Sequence, residues 1–537
     1  MAKKRAKKTT KKGKNGVAGL MDELFQAAVA LRGPIETPDY KRYVLPLIFL
    51  RFLSLRYEHR RAELEAMVED PKSDWYADDP ETREAILEDP DAYAAVGAFI
   101  VPKPARWSEL VAQAQADDIK LKIDAALELL EQTYPEQLRG LLPKVFARSN
   151  MAPEDLGQLI ALFSKDVFRE DHGGEDLIGR VYEYFIGEFA SAEGKRGGEY
   201  FTPGSIVRTL VAMLEPTEGV VFDPCCGSGG MFVQSDVFTK HSGRLSFVGQ
   251  EAKDFTYRLC RMNLFIHGIG GHIEQGNSYT DDKHATLKAD YILANPPFND
   301  GAKGENGWGA DRVPDKDPRV AVGGERMPLA PRNANTMWIM HFLHHLKEGG
   351  TAGFVMATGE LSNGETARLA VRKALVDADY VDCVVQLSGQ LFANTQIPCA
   401  LWFLSKNRGG GKAYRKRKGE VLFIDGRKLG TLIEGSRKQK ALSAEEVERI
   451  AAVYREFKRE RAPETVPGFA AVASREEIAE HRYALTPGRY VGNEEALDED
   501  EPFEERFPAL LKRLDEQFAE GRELERRVRR ALQGFGR

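Results

Sequence analysis

The chain has 537 residues, 42% of them apolar and 29% charged, with five cysteines and a formal net charge of −6. That composition excludes a fibrous or wholly disordered chain and leaves room for several buried cores. A charge so near balance confines any nucleic-acid surface to a local patch, and cysteines without CxxC spacing speak against a disulfide framework or zinc site and fit a reducing, cytoplasmic setting.

Residues 1–16 concentrate Lys3, Lys4, Arg5, Lys7, Lys8, Lys11, Lys12 and Lys14, and a disordered basic tail is expected there. No apolar stretch follows Lys14, so a secretory signal is not expected. From 17 to 165 apolar residues recur at three- and four-residue steps, as in Leu20, Leu24, Ala27, Ala28 and Leu31, which predicts a helical N-terminal domain. Its most apolar run, 44–55, reaches about half a bilayer span and carries Arg51. It reads as a buried helix with Pro46 in its first turns, not as a membrane anchor. Amphipathic helices are also expected over 119–130 and 153–168.

Between 166 and 410 short β-branched and aromatic runs alternate with helical ones. Gly219–Asp223, 245–249, Ala289–Ala294, 352–356, Val381–Leu387 and 399–404 read as strands, and 206–214, 255–267, 337–346 and 366–374 as helices. The alternation predicts an α/β catalytic domain with a mostly parallel sheet and ligands at the carboxyl ends of its strands. The insertion 301–332, with Trp308, Asp311, Asp317 and Arg319, is long for a plain connection and is expected to order around substrate. A C-terminal extension, 411–537, completes the chain. The basic, glycine-rich passage that leads into it, 408–418, is with the tail one of two candidate DNA contacts. Its final helix, 504–532, carries Phe507, Leu510, Leu511, Leu514, Phe518 and Leu524 as a stripe suited to a partner or to the body of the chain.

The residues that carry chemistry follow the strands. Asp223-Pro224-Cys225-Cys226-Gly227-Ser228-Gly229-Gly230 closes the first strand and opens a helix, so its backbone can approach a ligand closely. No GK[ST] is present, which makes a nucleoside triphosphatase unexpected; the turn suits an anion or the methionine end of S-adenosylmethionine. Glu251, at the tip of the second strand, is placed to accept from two ribose hydroxyls. Asn295-Pro296-Pro297-Phe298 follows the strand Ala289–Ala294 directly. Two prolines stiffen that turn and leave carbonyls as acceptors. The Asn295 side-chain oxygen and the Pro296 carbonyl can take both N–H groups of an exocyclic amine, freeing its lone pair, while Phe298 offers a face to a planar base.

These motifs resemble the amino-methyltransferases that act on adenine N6, and the chain from 17 to 532 is similar to the modification (M) subunit of type I restriction–modification systems. Gly198-Glu199-Tyr200-Phe201-Thr202-Pro203 resembles the family's cofactor motif ahead of the first strand. Residues 43–51, Asn333-Ala334-Asn335 with the helix after it, 391–398 and Arg489-Tyr490-Val491 match further signatures. The resemblance implies a helical N-terminal domain, a Rossmann-like S-adenosylmethionine-dependent methyltransferase domain and a helical C-terminal tail. It implies that Glu199, Tyr200, Phe201, Thr202, Pro203, Asp223, Gly227, Ser228, Gly229, Gly230, Glu251 and Asn277 hold the cofactor, with Asn295, Pro296, Pro297 and Phe298 catalytic and no metal. Cys225 and Gly204 depart from the family's usual residues.

Adenine N6 lies inside the duplex stack, so the base must be flipped out. No segment here is large enough to read a target sequence independently, and the resemblance implies a separate specificity subunit, two M chains per specificity subunit, and a restriction subunit in the full complex. A protein-glutamine methyltransferase would use a similar Asn-Pro-Pro-aromatic turn, but such chains are shorter and lack the helical domain; a non-catalytic assembly subunit would not depend on Asn295.

Overall fold

The computed structural model describes residues 17–165, 174–193, 202–299, 301, 308–392, 395–411, 413–433, 436, 438–492, 511–512, 515–519 and 521–526. The basic tail and Glu199, Tyr200 and Phe201 lie outside the described residues.

The N-terminal layer is helical, built on Val17–Ala30, the 33-residue helix Thr37–Glu69, Ile119–Thr133 and Pro153–Phe163. The long helix begins earlier than its apolar run suggests. Pro38 occupies its first turn, and Pro46 sits in its interior. An interior proline removes one helical hydrogen bond, at about 3 kcal/mol. Burial of Val44, Leu45, Leu47, Ile48, Phe49 and Leu50 offsets that cost. The helix Gly174–Glu193 packs into this same core through Phe185 and Phe189, which meet Phe25 edge-on. The layer then seats on Asp254–Ile266, where Phe49 meets Phe265 at 5.5 Å.

Beyond it lies a nine-stranded sheet: β1 Gly219–Asp223, β2 Leu245–Glu251, β3 Gly271–Gln275, β4 Ala289–Ala294, β5 Leu346–Ala357, β6 Val381–Leu387, β7 Cys399–Ser405, β8 Glu420–Gly426 and β9 Ala470–Ser474. The order is β9-β8-β6-β7-β5-β4-β1-β2-β3, with β7 and β9 antiparallel to their neighbours and the rest parallel. Strands buried on both faces read as continuous apolar runs, which is why β6 and β7 were visible in the sequence. The carboxyl ends of β1, β2, β4, β5, β6 and β8 share one edge. The exit of β7 lies on the other.

That placement corrects one expectation. The 408–418 passage joins β7 to β8 on the far edge, and its arginines turn inward. Arg417, fully buried, donates to both Asp382 oxygens at 2.8 and 2.9 Å, and Arg408 reaches Asp382 at 2.5 Å. Arg415 pairs with Glu420 and the Phe457 carbonyl. Tyr454 adds a hydrogen bond to Asp382 at 2.8 Å. Burial raises the Asp382 pKa, but the charges and hydrogen bonds of Arg417 and Arg408 overcome it and hold the group down at about 2. Arg408 and Arg417 are therefore structural, whereas Lys416 and Lys418 of the same passage stay exposed.

Within the insertion, the described residues from 308 onward are tied to the body of the chain. Trp308 is buried and donates to the Ala330 carbonyl at 2.9 Å, and Arg319 is buried on Asp317. No described helix is long and apolar enough to cross a membrane. The described parts of the terminal helix leave Leu511, Phe518 and Leu524 exposed, so the body of the chain does not cover this stripe among the described residues.

Removing one side of a buried charge pair leaves the other unpaired. Asp382→Ala is therefore expected to lower stability by about 3–5 kcal/mol in chemical denaturation. Because the folded pKa of Asp382 is depressed, the wild-type contribution is present above the ordinary value of 3.8 and is lost as pH falls to about 2.

Candidate active site

The site is built where β1, β2 and β4 end. After β1 the chain turns through Gly227 and Gly229, at φ of +55° and +81°, into the helix Gly230–Phe238. A side chain at Gly229 would meet the Cys260 sulfur at 2.9 Å, so this turn requires glycine by space as well as by backbone angle. The Gly227 N–H donates to Glu251 Oε2 at 3.1 Å, and the Lys253 N–H donates to Oε1 at 2.9 Å. The two amides fix the Glu251 carboxylate at the tip of β2, facing the glycine turn. The Gly276 N–H bonds the Glu251 carbonyl at 3.0 Å, bringing Asn277 to the same rim. The Asn277 oxygen accepts from the Tyr279 N–H at 2.9 Å, and Ser278 closes the loop onto the Pro224 carbonyl at 2.6 Å.

Asp223 is buried. Desolvation lifts its pKa to about 7, against the pull of hydrogen bonds from Cys225 and with a further push from the Glu251 charge. The Cys225 amide donates to it at 3.0 Å. Burial and the Asp223 charge in turn push the Cys225 thiol well up.

At the end of β4, Asn295 is half-buried, Pro296 buried, and Pro297 and Phe298 half-buried. The Asn295 amide nitrogen donates to Thr202 Oγ1 at 2.9 Å, which orients the carboxamide. Its oxygen is buried and accepts from no group among the described residues. An unmet buried acceptor is costly, and here it lies on the atom that the amine-gripping chemistry requires. Pro203 caps the helix Gly204–Leu214 through its carbonyl, which receives the Ile206 and Val207 N–H groups. The structure thus joins Thr202 to Asn295, Gly227 to Glu251, and Ser278 to Pro224.

Three supporting residues were not recognised as such in the sequence. Asn335, fully buried, accepts from the Asn299 N–H at 2.7 Å and donates to Asn299 Oδ1 at 3.1 Å, fixing the residue after Phe298 at a φ of +59°. Its signature was visible, but its direction toward the turn was not. Asn263 donates to the Ser228 carbonyl at 2.9 Å; an amide amid Met262 and Leu264 on an otherwise apolar helix face was the available signal. Arg319 donates to the carbonyls of Ser278 and, at 2.8 Å, of Tyr279, so the insertion braces the loop bearing Asn277.

Asp282, His341 and His345 bring ligand-type atoms within 4.8 Å of one another. Arg319 lies 3.2 Å from His341 Nδ1 and 3.8 Å from Asp282, so a guanidinium already supplies the positive charge there.

The residues present fit S-adenosylmethionine. A side chain built on Gly227 or Gly230 would meet nothing within 4 Å, which marks open space in front of the turn, and the Glu251 carboxylate and the unpartnered Asn295 oxygen border the same edge.

The N-6 DNA methylase family model matches residues 173–499, and the HsdM N-terminal domain model matches 20–163. The type I restriction enzyme MjaIX methylase subunit of Methanocaldococcus jannaschii is 39% identical over 522 residues, covering 96% of this chain and 91% of that protein. The HindI methylase subunit of Haemophilus influenzae is 40% identical over 429 residues, covering 77% and 92%. A solved type I restriction–modification methyltransferase subunit from Streptococcus thermophilus has a TM-score of 0.72 at 27% identity, covering 89% of this chain and 100% of that one.

The raised Asp223 pKa carries a signed consequence: its stabilising contribution is full below 3.8 and fades as pH rises through about 7. In urea denaturation, Asp223→Asn should narrow the stability difference between pH 5 and pH 8. Thr202→Val, which removes the hydrogen bond to Asn295, should lower kcat about tenfold to a hundredfold in steady-state methyl transfer, with Thr202→Ser restoring most of it.

Proposed function

Because the chain belongs to the N6-adenine DNA methylases, as a type I restriction–modification methylase subunit, we propose that its Asn295–Phe298 corner grips the amine of an adenine flipped out of duplex DNA. The observation that carries this reading is the Asn295 oxygen, buried and without a donor among the described residues.

In this reading Glu199, Tyr200, Phe201, Thr202 and Pro203 flank the cofactor on one side. Asp223 and Gly227 to Gly230 border its methionine end, Glu251 accepts from its ribose, and Asn277 touches its adenine. S-adenosylmethionine supplies an electrophilic methyl group carried on sulfonium. Thr202 holds the Asn295 carboxamide by its nitrogen, which leaves the oxygen to the target amine. That oxygen and the Pro296 carbonyl each accept one N–H of the target amine, which favours a pyramidal nitrogen and turns its lone pair toward the methyl group. Asn335 keeps the turn from relaxing, and Phe298 stacks against the extruded base.

Sequence reading falls to a separate specificity subunit shared by two copies of this chain, with a restriction subunit joining in the full complex. The exposed Leu511, Phe518 and Leu524 support the terminal helix as the contact to the specificity subunit. We assign residues 1–16 as tail, 17–165 as helical domain, 166–410 as catalytic domain and 411–537 as assembly extension, working in the cytoplasm.

With labelled S-adenosylmethionine, duplex DNA and the specificity subunit, label should appear as N6-methyladenine. Asn295→Ala should lower kcat at least about a thousandfold while leaving complex assembly intact. Undiminished transfer by that variant, or label appearing in protein instead of DNA, would refute the reading. Deleting 504–537 should abolish co-purification with the specificity subunit; undiminished co-purification would place that contact elsewhere.

A further inference from the structure

Flipping a base requires contacts to the duplex on either side of it, and the arginines of 408–418 are buried on the edge away from Asn295. The catalytic edge carries a different basic element. After β8 exits at Gly426, the chain forms a short antiparallel pairing of Thr431–Leu432 with Lys440–Ala441. This hairpin is seated on the turn that follows β6: the Lys440 N–H donates to the Gln390 carbonyl at 2.8 Å, and the Gly430 N–H is held by Glu446 at 2.9 Å.

Its outer surface departs from the rest of that edge. Leu432 is 54% exposed and Ile433 39%, and Ile397, in the turn before β7, is 64% exposed. Lys438 is exposed and Lys440 half-exposed beside them, and neither is ion-paired among the described residues. Cations without a described partner offer counter-charges to a phosphate backbone, with the aliphatic side chains beside them free to lie against sugars.

In the sheet order, β7, which Ile397 precedes, lies two strands from β4, and β8, which the hairpin follows, lies four, so the patch sits along the edge that carries Asn295.

We propose that the hairpin bearing Leu432, Ile433, Lys438 and Lys440, together with Ile397, is a duplex-DNA contact surface flanking the catalytic corner. Lys438 and Lys440 meet phosphates, and the three apolar side chains lie against sugars in the groove. The proposal rests on the base-flipping reading above and adds where the duplex is held.

The test uses the chain assembled with its specificity subunit and a fluorescein-labelled duplex of mixed sequence, with affinity measured across a salt series. Lys438→Ala/Lys440→Ala should weaken binding about tenfold near physiological salt and make the slope of log affinity against log salt shallower by about 2, one unit for each phosphate left without its lysine. Leu432→Ser/Ile433→Ser should weaken binding with the slope unchanged. Thermal melting and co-purification of the specificity subunit should match wild type in both variants. Unchanged affinity and slope would overturn the proposal. So would loss of the specificity subunit from either variant, which would assign the patch to a protein partner. Asn295→Ala separates this from the function itself: its salt slope should match wild type, since no phosphate contact is lost, and methylation surviving in it would refute the amine-gripping corner while leaving the hairpin result intact.

Discussion

The structure depends on one carboxamide held in place from two sides. Thr202 takes the Asn295 amide nitrogen, and Asn335 locks the turn beyond Phe298 through Asn299. Between them the Asn295 oxygen is buried without a donor among the described residues. A buried polar atom left unsatisfied costs about 1–3 kcal/mol. In the proposed reading, a substrate amine that donates to it recovers that energy only when correctly placed. Prolines on the C-terminal side keep the backbone from rotating to satisfy the oxygen internally.

Around that corner, polar residues brace instead of react. Asn263 ties the glycine turn to the helix Asp254–Ile266, against which the N-terminal helical layer packs through Phe49 and Phe265. Arg319 ties the insertion to the loop carrying Asn277. The helical layer and the insertion are therefore joined to the rim of the cofactor site, and movement in either would be felt there. Asp382 plays the equivalent part on the far edge, where three buried side chains, Arg408, Arg417 and Tyr454, converge on it.

Much of this was legible in the sequence. Doubly covered strands announce themselves as apolar runs, and Gly219–Asp223, Ala289–Ala294 and Val381–Leu387 were bounded to the residue. The glycine turn, Glu251 and the Asn-Pro-Pro-Phe corner stand at the ends of the strands where the sequence pattern put them. What was not legible depends on direction in space. The arginines of 408–418 look like a nucleic-acid patch until Asp382, far off in sequence, is seen to pair with them. Pro46 looks like a helix start because propensity argues so, and tertiary burial overrides it. Trp308 and Arg319 sit in a glycine-rich stretch whose sequence gave no sign of the burial both acquire. Asn335 gave no hint of its partner, since hydrogen-bond direction is set only when the turn and the helix meet.

The most direct measurement is a crystal structure of the assembled methylase with duplex DNA and a non-reactive S-adenosylmethionine analogue. An adenine extruded from the stack, with its N6 within about 3 Å of both the Asn295 oxygen and the Pro296 carbonyl, is the predicted result. An adenine bound elsewhere, with the Asn295 oxygen satisfied by a protein donor, would contradict it.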